Sequence, residues 1–512
     1  MINDSIIFLK ARRYTAIILL VLFLIAGIAV RLIDFDDLPL DFAATRQLHS
    51  LIMARGIYYE FDTPQIQNIP EAVRSYSITV GNAEPRIEPP VMEYLVAFTY
   101  QLIGGENIFV GRFYAILFWV LGGIPLFLLM QKITSVNGSL AALAVYLFMP
   151  FGIIASRAFQ PDPLMVFGIL WALYFQIRWM HNDSIKNTIL AGLFTGIVIL
   201  IKATSVFFVG VPLVGIVLSL GIKQWIKNRR IYLIAILALV PALLFNIISA
   251  TIGGNAGSIF GARFFPSLFI DPQWYLRWFM TAKSVVDYFP LIIGLLAIFL
   301  IKKKEYRVFY ACLWLGYALF GFTFAYHIYT HNYYHLPLIP MVAIGFGAIF
   351  EIVFTKLEEL NPHWFARLLI AGVLLLSIGL CALKARNDLL EASYHHEAAY
   401  WERLGDKIGM NKAVIALTHD YGYRISYWGF INPKLWLTSG DQLVYELSGA
   451  TNPEFEILFK QETDGKDYFL VTLIKDFEAQ PELHDYLLTN YSFEQGDRYY
   501  LFDLKDPTGA GK

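Results

Sequence analysis

Two acids and a lysine stand where apolar segments of the chain end, and residues of these types can do chemistry at a membrane surface. Asp41 opens the stretch Asp41–Gln47, a few residues after a long apolar run. Asp162 stands between two prolines, and Lys202 stands between two apolar runs with almost no polar spacer. An acid kept at such an edge is a candidate catalytic group. A tight hairpin that offers the Lys202 ammonium at headgroup level suits a phosphate.

Each of these residues also has a purely structural interpretation. Asp41 could be the N-cap of a helix over Phe42–Arg55, because aspartate is favoured at that position, and Asp162 could cap the helix that follows it. Lys202 could be a snorkelling lysine that only reaches for the membrane surface. Glu88 precedes two prolines that stiffen the chain, and it could be a solvated turn residue.

The composition indicates the class of protein. The chain of 512 residues is 57% hydrophobic and 16% charged, and its mean hydropathy is +0.53. This is more apolar surface than one soluble core of this length could hide, so we predict a polytopic protein of the lipid bilayer. The formal net charge of -1 gives no case for nucleic-acid binding. Cys312 and Cys381 fall within apolar segments, which predicts neither a disulfide framework nor a cysteine metal site.

The basic residues orient the helices. The run Tyr14–Val30 is uncharged and follows a basic start, which predicts a spanning helix with a cytoplasmic N-terminus. A cleaved signal peptide would start similarly. In this orientation the basic links between later apolar runs all fall in the cytoplasm, as the positive-inside rule requires. These runs lie near 107–130, 139–156, 163–180, 187–201, 203–221, 231–250, 289–301, 308–328, 335–354 and 368–384.

The predicted fold is an α-helical polytopic membrane protein with about eleven transmembrane helices. A transmembrane domain over 1–384 carries outer loops at 34–106 and 251–288, and Pro90–Ile103 is predicted to lie at the outer surface because it is short for a span. The more polar region 385–512 is predicted to form a small extracytoplasmic α/β domain. Its predicted strands are Val414–Leu417, Tyr468–Thr472 and Tyr499–Phe502, and its predicted helix is Glu397–Ile408.

On this topology the polar residues gather at the outer ends of helices, although they come from separate places in the chain. They are Asp41, Glu88, Arg112, Arg157, Asp162, Lys202 and the group from His331 to His335. Helix ends are where charges cost least, so part of this clustering is automatic. Arg112 and Arg157 could equally be membrane anchors.

The histidine pair His331 and His335 has a spacing typical of metal ligands, because residues four apart can face one way on a helix. The intervening Asn332, Tyr333 and Tyr334 are more typical of a loop that enters a span at Pro337. The candidates for a divalent metal ion are Glu88, His331 and His335, and no cofactor is certain.

The order of these elements resembles the membrane glycosyltransferases of the protein O-mannosyltransferase and lipid A aminoarabinose transferase type, known as glycosyltransferase family 39. The resemblance covers roughly residues 14–350 and excludes the tail, residues 385–512. It rests on an acid after the first span followed by Glu88-Pro89-Pro90, Gly111-Arg112-Phe113, Arg157-Ala158-Phe159-Gln160-Pro161-Asp162, Leu200-Ile201-Lys202-Ala203 and Tyr333-Tyr334-His335-Leu336-Pro337.

The resemblance implies a GT-C fold enzyme that passes a sugar, with inversion, from a polyprenyl-phosphate donor to an acceptor outside the cytoplasm. It implies that Asp41 is the catalytic acid of the first outer loop, while Asp162 and Lys202 match the family's Pro-Asp element and loop lysine. Many relatives have a second acid where this chain has Phe42. Relatives often have lysine where this chain has Glu88, which favours a contact of Glu88 with a sugar hydroxyl or a metal.

The chemistry suits these residue types. Cleavage between an anomeric carbon and a phosphate develops negative charge on the phosphate, which cations in a water-poor site stabilise. Lys202 is the first candidate for this role, followed by Arg112 and Arg263. A carboxylate must take the proton of the acceptor hydroxyl, and Asp41 is the predicted base. Asp162 would orient the acceptor or hold the first loop. Tyr333 and His335 are predicted to contact the sugar or the acceptor.

Two other classes of function fit the same composition. A transporter or flippase for a lipid-linked glycan would have many spans, but it should place ionisable residues near the bilayer midplane and often shows paired halves. A non-catalytic glycan-assembly subunit could keep the lysine and aromatic residues without needing Asp41. The sugar, a hexose or a pentose, and the acceptor, a glycan, lipid or protein, are not specified by the sequence. The resemblance is closest to bacterial members, which favours the plasma (inner) membrane.

Overall fold

The computed structural model describes most of the chain and is mainly helical. It describes residues 5–6, 9–10, 13–61, 63–86, 88–219, 221, 227–251, 264–360, 362–447 and 454–507. The chain forms two compact units. The first unit comprises Met1–Asp36, Pro85–Met92 and Phe109–Ala392, and the second comprises Asp37–Glu84, Glu93–Ile108 and Ser393–Lys512.

The α-helices follow the apolar runs and the amphipathic segments. They are α1 Arg13–Ala29, α2 Ala44–Tyr59, α3 Pro64–Gln67, α4 Glu71–Ala83, α5 Val91–Ile103, α6 Phe109–Ile133, α7 Val136–Phe148, α8 Pro150–Ala155, α9 Pro161–His181, α10 Ile185–Ile201, α11 Val206–Ser219, α12 Arg229–Thr251, α13 Pro272–Val286, α14 Tyr288–Leu300, α15 Lys304–Thr323, α16 His327–Thr330, α17 Leu338–Glu359, α18 Trp364–Leu389, α19 Glu397–Ile408, α20 Tyr423–Gly429, α21 Ser439–Leu447, α22 Phe455–Thr463, α23 Ile474–Glu478 and α24 Pro481–Asn490. Short 3-10 helices are Ala203–Ser205, Pro266–Ile270, Asn332–His335 and His419–Gly422.

Several helices of the first unit can cross a membrane by length and apolar composition. Within the described residues there are 5 of them, or up to 6 if α13 and α14, bent by 102° at Asp287, form one span. They are Phe109–Ile133, Pro161–His181, Arg229–Ser249, Asn332–Glu359 and Trp364–Leu389. The count of about eleven spans stays a prediction. One predicted span, 139–156, is divided at Met149 into α7 and α8, because Pro150 has no N–H to continue the helix.

The first unit is held at the end of α1 by a buried arginine. Arg31 is 0% exposed, and its guanidinium donates to the Ser156 hydroxyl at 2.6 Å and to the carbonyl oxygens of Gly27 at 2.8 Å and Leu147 at 3.0 Å. The Leu147 bond falls just before the break between α7 and α8, and the Ser156 bond falls at the end of α8. The side chain therefore ties the end of α1 to α7 and to α8.

The second unit contains the closely packed helices α2 and α4 and, in its last segment, a five-stranded sheet. A Cβ atom on Gly56 of α2 would meet the backbone of Gly81 on α4 at 3.0 Å, so both glycines let the two backbones touch. The strands of the sheet are β3 Val414–Leu417, β4 Lys434–Leu435, β5 Tyr468–Val471, β6 Tyr491–Gln495 and β7 Tyr500–Pro507, after a short hairpin of β1 Ser5–Ile6 and β2 Leu9–Lys10 in the first unit. The sheet order is β4-β3-β5-β7-β6.

The strand β3 pairs parallel with β4 and with β5, and β7 pairs antiparallel with β5 and with β6. Its core contains Ile415, Phe469 and Phe502, each 0% exposed. The strands predicted near Val414, Tyr468 and Tyr499, and the helix predicted over Glu397–Ile408, are confirmed. The second unit also contains two earlier segments of the chain, and the domain boundary at 384 stays a prediction.

Candidate functional site

The first unit contains a buried ion pair between two of the predicted site residues. The Lys202 ammonium lies 2.9 Å from each carboxylate oxygen of Asp162. Asp162 is 1% exposed and Lys202 is 8% exposed. Removing one partner of such a pair costs about 3–5 kcal/mol, because the other charge is left buried and uncompensated. The two residues are therefore fixed against each other.

Local backbone geometry explains how the pair forms. Asp162 lies in the first turn of α9, whose N-cap is Gln160 and whose first residue is Pro161. The alternative that Asp162 is itself the N-cap is wrong, although a carboxylate in the first turn still benefits from the helix dipole. Lys202 has extended backbone angles, φ -153° and ψ 112°, and separates α10 from the next 3-10 helix. This break turns its side chain out of the helical row.

Tyr333, a predicted site residue, and its neighbour Tyr334 lie near the same ammonium. The Lys202 Nζ atom lies 5.8 Å from the ring centroid of Tyr333 and 5.9 Å from that of Tyr334. Cations within about 6 Å of a ring centroid are attracted by the ring face. Tyr334 in turn stacks on Phe320, with centroids 5.7 Å apart. The structure thus brings Asp162, Lys202 and Tyr333 together from three separate segments.

The buried glutamine at the N-cap of α9 was not predicted from the sequence as a site residue. Gln160 is 0% exposed, and within the described part of the chain neither its amide oxygen nor its amide nitrogen has a hydrogen-bond partner. Buried polar groups are nearly always hydrogen-bonded, so such an amide calls for an explanation, such as a bound ligand. Its place two residues before Asp162, in a stretch already singled out, was the only signal for it.

Arg112, which is predicted as a phosphate ligand, contacts backbone. Arg112 is 1% exposed, and its guanidinium donates to the carbonyl oxygen of Phe35 at 2.8 Å. Arg157, also 1% exposed, donates to the carbonyl oxygens of Ile33 at 2.7 Å and Asp34 at 2.5 Å. Both arginines thus hold the turn that follows α1, in which Asp34 has a φ of 52°. These bonds give both arginines a structural role, and the predicted roles as phosphate ligand or membrane anchor stay predictions.

The histidines do not form a pair. His335 is 0% exposed; its Nδ1 lies 2.7 Å from the Tyr317 hydroxyl and its Nε2 lies 2.6 Å from the carbonyl oxygen of Ile328. The carbonyl can only accept, so Nε2 carries the proton. His331 instead stacks on His327, with centroids 5.0 Å apart. Among the described residues, no group of three His, Cys, Asp or Glu side chains could hold a metal ion.

The remaining sequence candidates are placed as follows. Glu88 is half-buried and lies at the start of the segment that leads through two prolines into α5. Arg263 lies outside the described residues.

Asp41 belongs to the second unit, in the segment that leads into α2. The N-cap of α2 is Ala43, with φ 46° and no side-chain cap, so the alternative that Asp41 caps this helix is wrong. Gln47, 0% exposed, donates to the carbonyl oxygen of Phe42 at 2.6 Å and reaches Asp41 Oδ1 at 3.5 Å. The left-handed turn at Ala43 lies between the half-buried Asp41 and the first residue of α2.

Two contacts on either side of Asp41 join its segment to the tail. Asp37, 2% exposed, accepts the backbone N–H of Tyr394 at 2.9 and 3.0 Å through its two carboxylate oxygens. The Thr45 hydroxyl donates to Asp420 Oδ1 at 3.0 Å. These contacts were not predicted from the sequence, because the partners are 357 and 375 positions apart and nothing in the local pattern connects them.

Comparisons with known proteins agree with the recognition from sequence. Residues 87–246 match the family model "Dolichyl-phosphate-mannose-protein mannosyltransferase". That segment includes Asp162 and Lys202 but not Asp41 or Tyr333. No curated protein sequence matches the chain.

Three solved structures have a similar fold over nearly the whole chain. ArnT from Cupriavidus metallidurans bound to undecaprenyl phosphate has a TM-score of 0.59 at 13% identity, and covers 96% of this chain and 98% of its own. The same protein in the apo state has a TM-score of 0.59 at 14% identity, with coverages of 95% and 98%. The oligosaccharyltransferase AglB from Archaeoglobus fulgidus, in complex with an inhibitory peptide and a dolichol-phosphate, has a TM-score of 0.53 at 12% identity, with coverages of 96% and 74%. The chain therefore has the fold of the GT-C glycosyltransferases, and over residues 87–246 it resembles the dolichyl-phosphate-mannose-protein mannosyltransferases.

Proposed function

We propose that the chain is an inverting glycosyltransferase that moves a sugar from a polyprenyl-phosphate donor to a hydroxyl of an extracytoplasmic acceptor. The observation that carries the proposal is the buried Lys202 ammonium, held by Asp162 and faced by Tyr333 and Tyr334 in a chain of GT-C fold. The lipid phosphates bound by ArnT and AglB support the same donor class.

In this proposal Lys202 stabilises the charge of the leaving phosphate. An ammonium has three donors, and two of those on Lys202 are directed at the two Asp162 oxygens. The third can serve a phosphate oxygen. Asp162 thereby orients the ammonium in a buried place, where it stabilises developing charge far more than it would in water. Gln160 would add a neutral hydrogen bond to the same ligand.

Asp41 acts as the base that takes the proton of the acceptor hydroxyl. The new bond forms between the acceptor oxygen and the anomeric carbon, the bond from that carbon to the phosphate oxygen breaks, and the free polyprenyl phosphate leaves. Inversion follows from a single displacement on the sugar. The remaining predicted contacts of the donor or the acceptor are Glu88, Arg112, Arg263, Tyr333 and His335, and the Arg112 guanidinium also donates to the turn after α1.

The proposed setting is a plasma (inner) membrane, with the N-terminus in the cytoplasm, about eleven spans, and the tail outside. The charge pattern of the links supports this orientation. A cysteine introduced at the exposed Tyr445 should react with an impermeant thiol reagent added to intact cells. Labelling only after permeabilisation would reverse the orientation.

The decisive experiment compares Asp41→Asn with Asp36→Asn, an exposed acid nearby. The donor is the lipid-linked sugar that accumulates in cells lacking the protein, identified by mass spectrometry and purified, and the acceptor is supplied by membranes of those cells. Asp41→Asn should lower the transfer rate at least 100-fold while the purified protein still binds undecaprenyl phosphate, and Asp36→Asn should transfer normally. Full transfer by Asp41→Asn would refute Asp41 as the base.

The same cells separate the enzyme from the other two classes. A flippase only moves the lipid-linked sugar between the two leaflets and breaks no bond in it. The purified protein would then not consume the donor in detergent. A non-catalytic subunit would consume no donor in isolation either. Consumption of donor with release of polyprenyl phosphate by the purified chain supports the enzyme.

A further inference from the structure

The strand order of the sheet in the tail changes direction at β3. In the parallel part, β4 and β5 flank β3, although β3 comes first in the chain. The connection from β3 therefore leads to one neighbour, β4, and the connection from β4 crosses to the other neighbour, β5, which makes a topological switch point between β3 and β5. Open α/β sheets bind their ligands at the carboxyl ends of the strands at such a point.

The residues just past β3 and β5 form a compact polar group at this edge. The hydroxyl oxygens of Thr418 and Thr472 lie 2.8 Å apart, and the His419 N–H donates to the Thr472 hydroxyl at 3.2 Å. The chain then passes through Asp420 and Tyr421, both in the left-handed region with φ values of 50° and 53°. Residues other than glycine rarely adopt this backbone conformation, so surrounding contacts must hold it.

One of the contacts at this edge is the segment that carries Asp41. Asp420 offers one carboxylate oxygen to the Thr45 hydroxyl at 3.0 Å and the other to the Arg424 guanidinium. Arg424 also donates to Glu397 at 3.1 Å. Asp420 therefore cannot move toward or away from Thr45 without breaking an ion pair of its own.

Glu397 extends this network to the end of the sheet. Its carboxylate accepts two bonds from Arg498, at 2.7 and 3.0 Å, and one from the Trp401 indole at 3.0 Å. Although burial favours the neutral acid, these bonds and the positive charge of Arg498 and Arg424 hold the pKa of Glu397 below its ordinary value. The group is ionised at neutral pH, so the Asp420 turn has a charged, fixed support.

A second anchor lies on the other side of Asp41. The buried Asp37 carboxylate accepts the Tyr394 N–H through both oxygens, immediately before the helix that starts at Glu397. Asp41 lies midway between the two anchors, four residues after Asp37 and four before Thr45. Burial raises the pKa of the Tyr394 phenol, Arg424 opposes this, and the carboxylates of Asp41, Asp37 and Glu397 raise the pKa further.

We infer that the tail positions the base: Asp420 and the Tyr394 backbone are positioning groups that hold the Asp37–Thr45 segment so that Asp41 is aimed for proton abstraction. The inference rests on the proposed function, because it needs Asp41 to be the base. It gives the tail a role in the rate of transfer that does not require contact with substrate. Small misplacements of a reacting group cost up to about 100-fold in rate, so loss of one anchor should slow transfer with little effect on donor binding.

The test removes the hydrogen bond without changing the volume of the side chain. Thr45→Val should lower kcat for transfer about 10-fold, with KM for the donor within about twofold, and Thr45→Ser should restore most of the rate because it keeps the hydroxyl. The matched control is Thr463→Val, whose hydroxyl donates only to its own helix, to the carbonyl oxygen of Phe459. That variant should transfer at the wild-type rate. The donor is the purified lipid-linked sugar described above.

The double variant separates positioning from general damage. If Thr45 acts through Asp41, then Thr45→Val in the Asp41→Asn background should slow the residual rate less than twofold. An equal 10-fold loss in both backgrounds, or no loss in either, would overturn the inference while leaving the proposed function intact. Full transfer by Asp41→Asn alone would overturn both. The rising limb of the kcat–pH profile should also move in Thr45→Val but not in Thr463→Val.

A second pair of variants covers the case in which Thr45→Val does not fold. Asp420→Asn keeps an oxygen that can accept from Thr45 and a residue that tolerates the left-handed region, whereas Asp420→Gly keeps the turn but removes the acceptor. Asp420→Gly should lower kcat about 10-fold relative to Asp420→Asn. Equal kcat values for the two variants would contradict the role of this anchor.

Discussion

The Lys202 ammonium lies 2.9 Å from both carboxylate oxygens of Asp162, and the two residues are separated by 40 positions in the chain. The pair joins the start of α9 to the break after α10. Because both side chains are almost fully buried, neither can be changed alone without leaving a charge that the surroundings must accommodate.

Loss of the lysine should therefore affect chemistry and stability together, whereas a charge-conserving change should separate them. We expect Lys202→Gln to lower transfer at least 100-fold and to destabilise the protein by about 3 kcal/mol. Lys202→Arg keeps the charge, and it should fold with near wild-type stability while its transfer rate falls, since the guanidinium does not have the same donor geometry. Thermal unfolding and the transfer rate are measured on the same preparations.

The control for this prediction is Lys283→Gln. Lys283 is half-buried and its ammonium lies 5.0 Å from the ring centroid of Tyr288, so it shares the cation–aromatic contact without the ion pair. It should keep full transfer. Wild-type transfer by Lys202→Gln would contradict the assignment of Lys202 to the donor phosphate.

A substitution of Gln160 should raise the stability of the free protein but weaken its binding of undecaprenyl phosphate. Replacing its buried amide with Leu removes polar atoms that lack a protein partner among the described residues, and we expect the free protein to gain about 1 kcal/mol of stability. The variant should bind undecaprenyl phosphate more weakly, by about 5- to 10-fold, because a neutral hydrogen bond contributes about 1 kcal/mol. Isothermal titration in detergent measures the affinity. Unchanged affinity would remove Gln160 from the site.

Ala43 holds a backbone conformation that glycine adopts without strain. Its φ of 46° lies in the left-handed region, which costs an L-residue about 1–2 kcal/mol. Ala43→Gly should therefore raise the thermal stability of the protein or leave it unchanged, after the entropy of the unfolded chain is included, and Ala43→Val should lower it by more than about 1 kcal/mol. A stability order of Val above Gly would contradict the described turn.

Glu84 should make the stability of the second unit depend on pH. Burial raises the pKa of Glu84 to about 7, and the hydrogen bond from the Tyr423 hydroxyl at 2.9 Å opposes this only in part. Because the folded-state pKa lies above the ordinary value of 4.5, the associated stability is fully present below about pH 4.5 and is lost as the pH rises towards 7. The expected loss is on the order of 3 kcal/mol.

Glu84→Gln should remove this pH dependence and should be more stable than the wild type at pH 8. His49 Nε2 lies 3.3 Å from the Glu84 carboxylate, and a protonated imidazole would reduce the amplitude. His49→Gln is therefore expected to steepen the slope between pH 5 and 7. Chemical unfolding across pH 4 to 8 gives both slopes, and parallel curves for the wild type and Glu84→Gln would contradict the prediction.

The sequence predicted what depends on local pattern and failed where distant segments meet. Apolar periodicity located the strand at Val414–Leu417 and the helix at Glu397–Ile408, which begin and end as expected. The pairing of Asp162 with Lys202 was approached through their common side of the membrane, a topological argument that needs no coordinates. The N-cap at Ala43 was missed because helix-start rules favour aspartate, and here the left-handed turn prevailed over that preference.

The contacts of Arg112 and of Asp37 could not be predicted for a different physical reason. The sequence does not show which way a charged side chain points. The carbonyl oxygens that Arg112 binds are present in every residue, so they do not mark its partner. The Asp37 carboxylate accepts from a backbone N–H, which carries no signature of its own in the amino-acid code. Such bonds become visible only when the fold is known.

The double anchoring of the Asp37–Thr45 segment has a consequence for biosynthesis. Asp37 is translated 357 residues before Tyr394, which at ordinary rates of synthesis is an interval of about 20 to 70 s. The nascent chain therefore emerges with its first anchoring carboxylate long before the partner has been made. If the anchors govern the aim of Asp41, a ribosome-bound chain that does not yet contain Tyr394 and Asp420 should transfer sugar more slowly than the finished protein, so activity rises only after these two residues have been made.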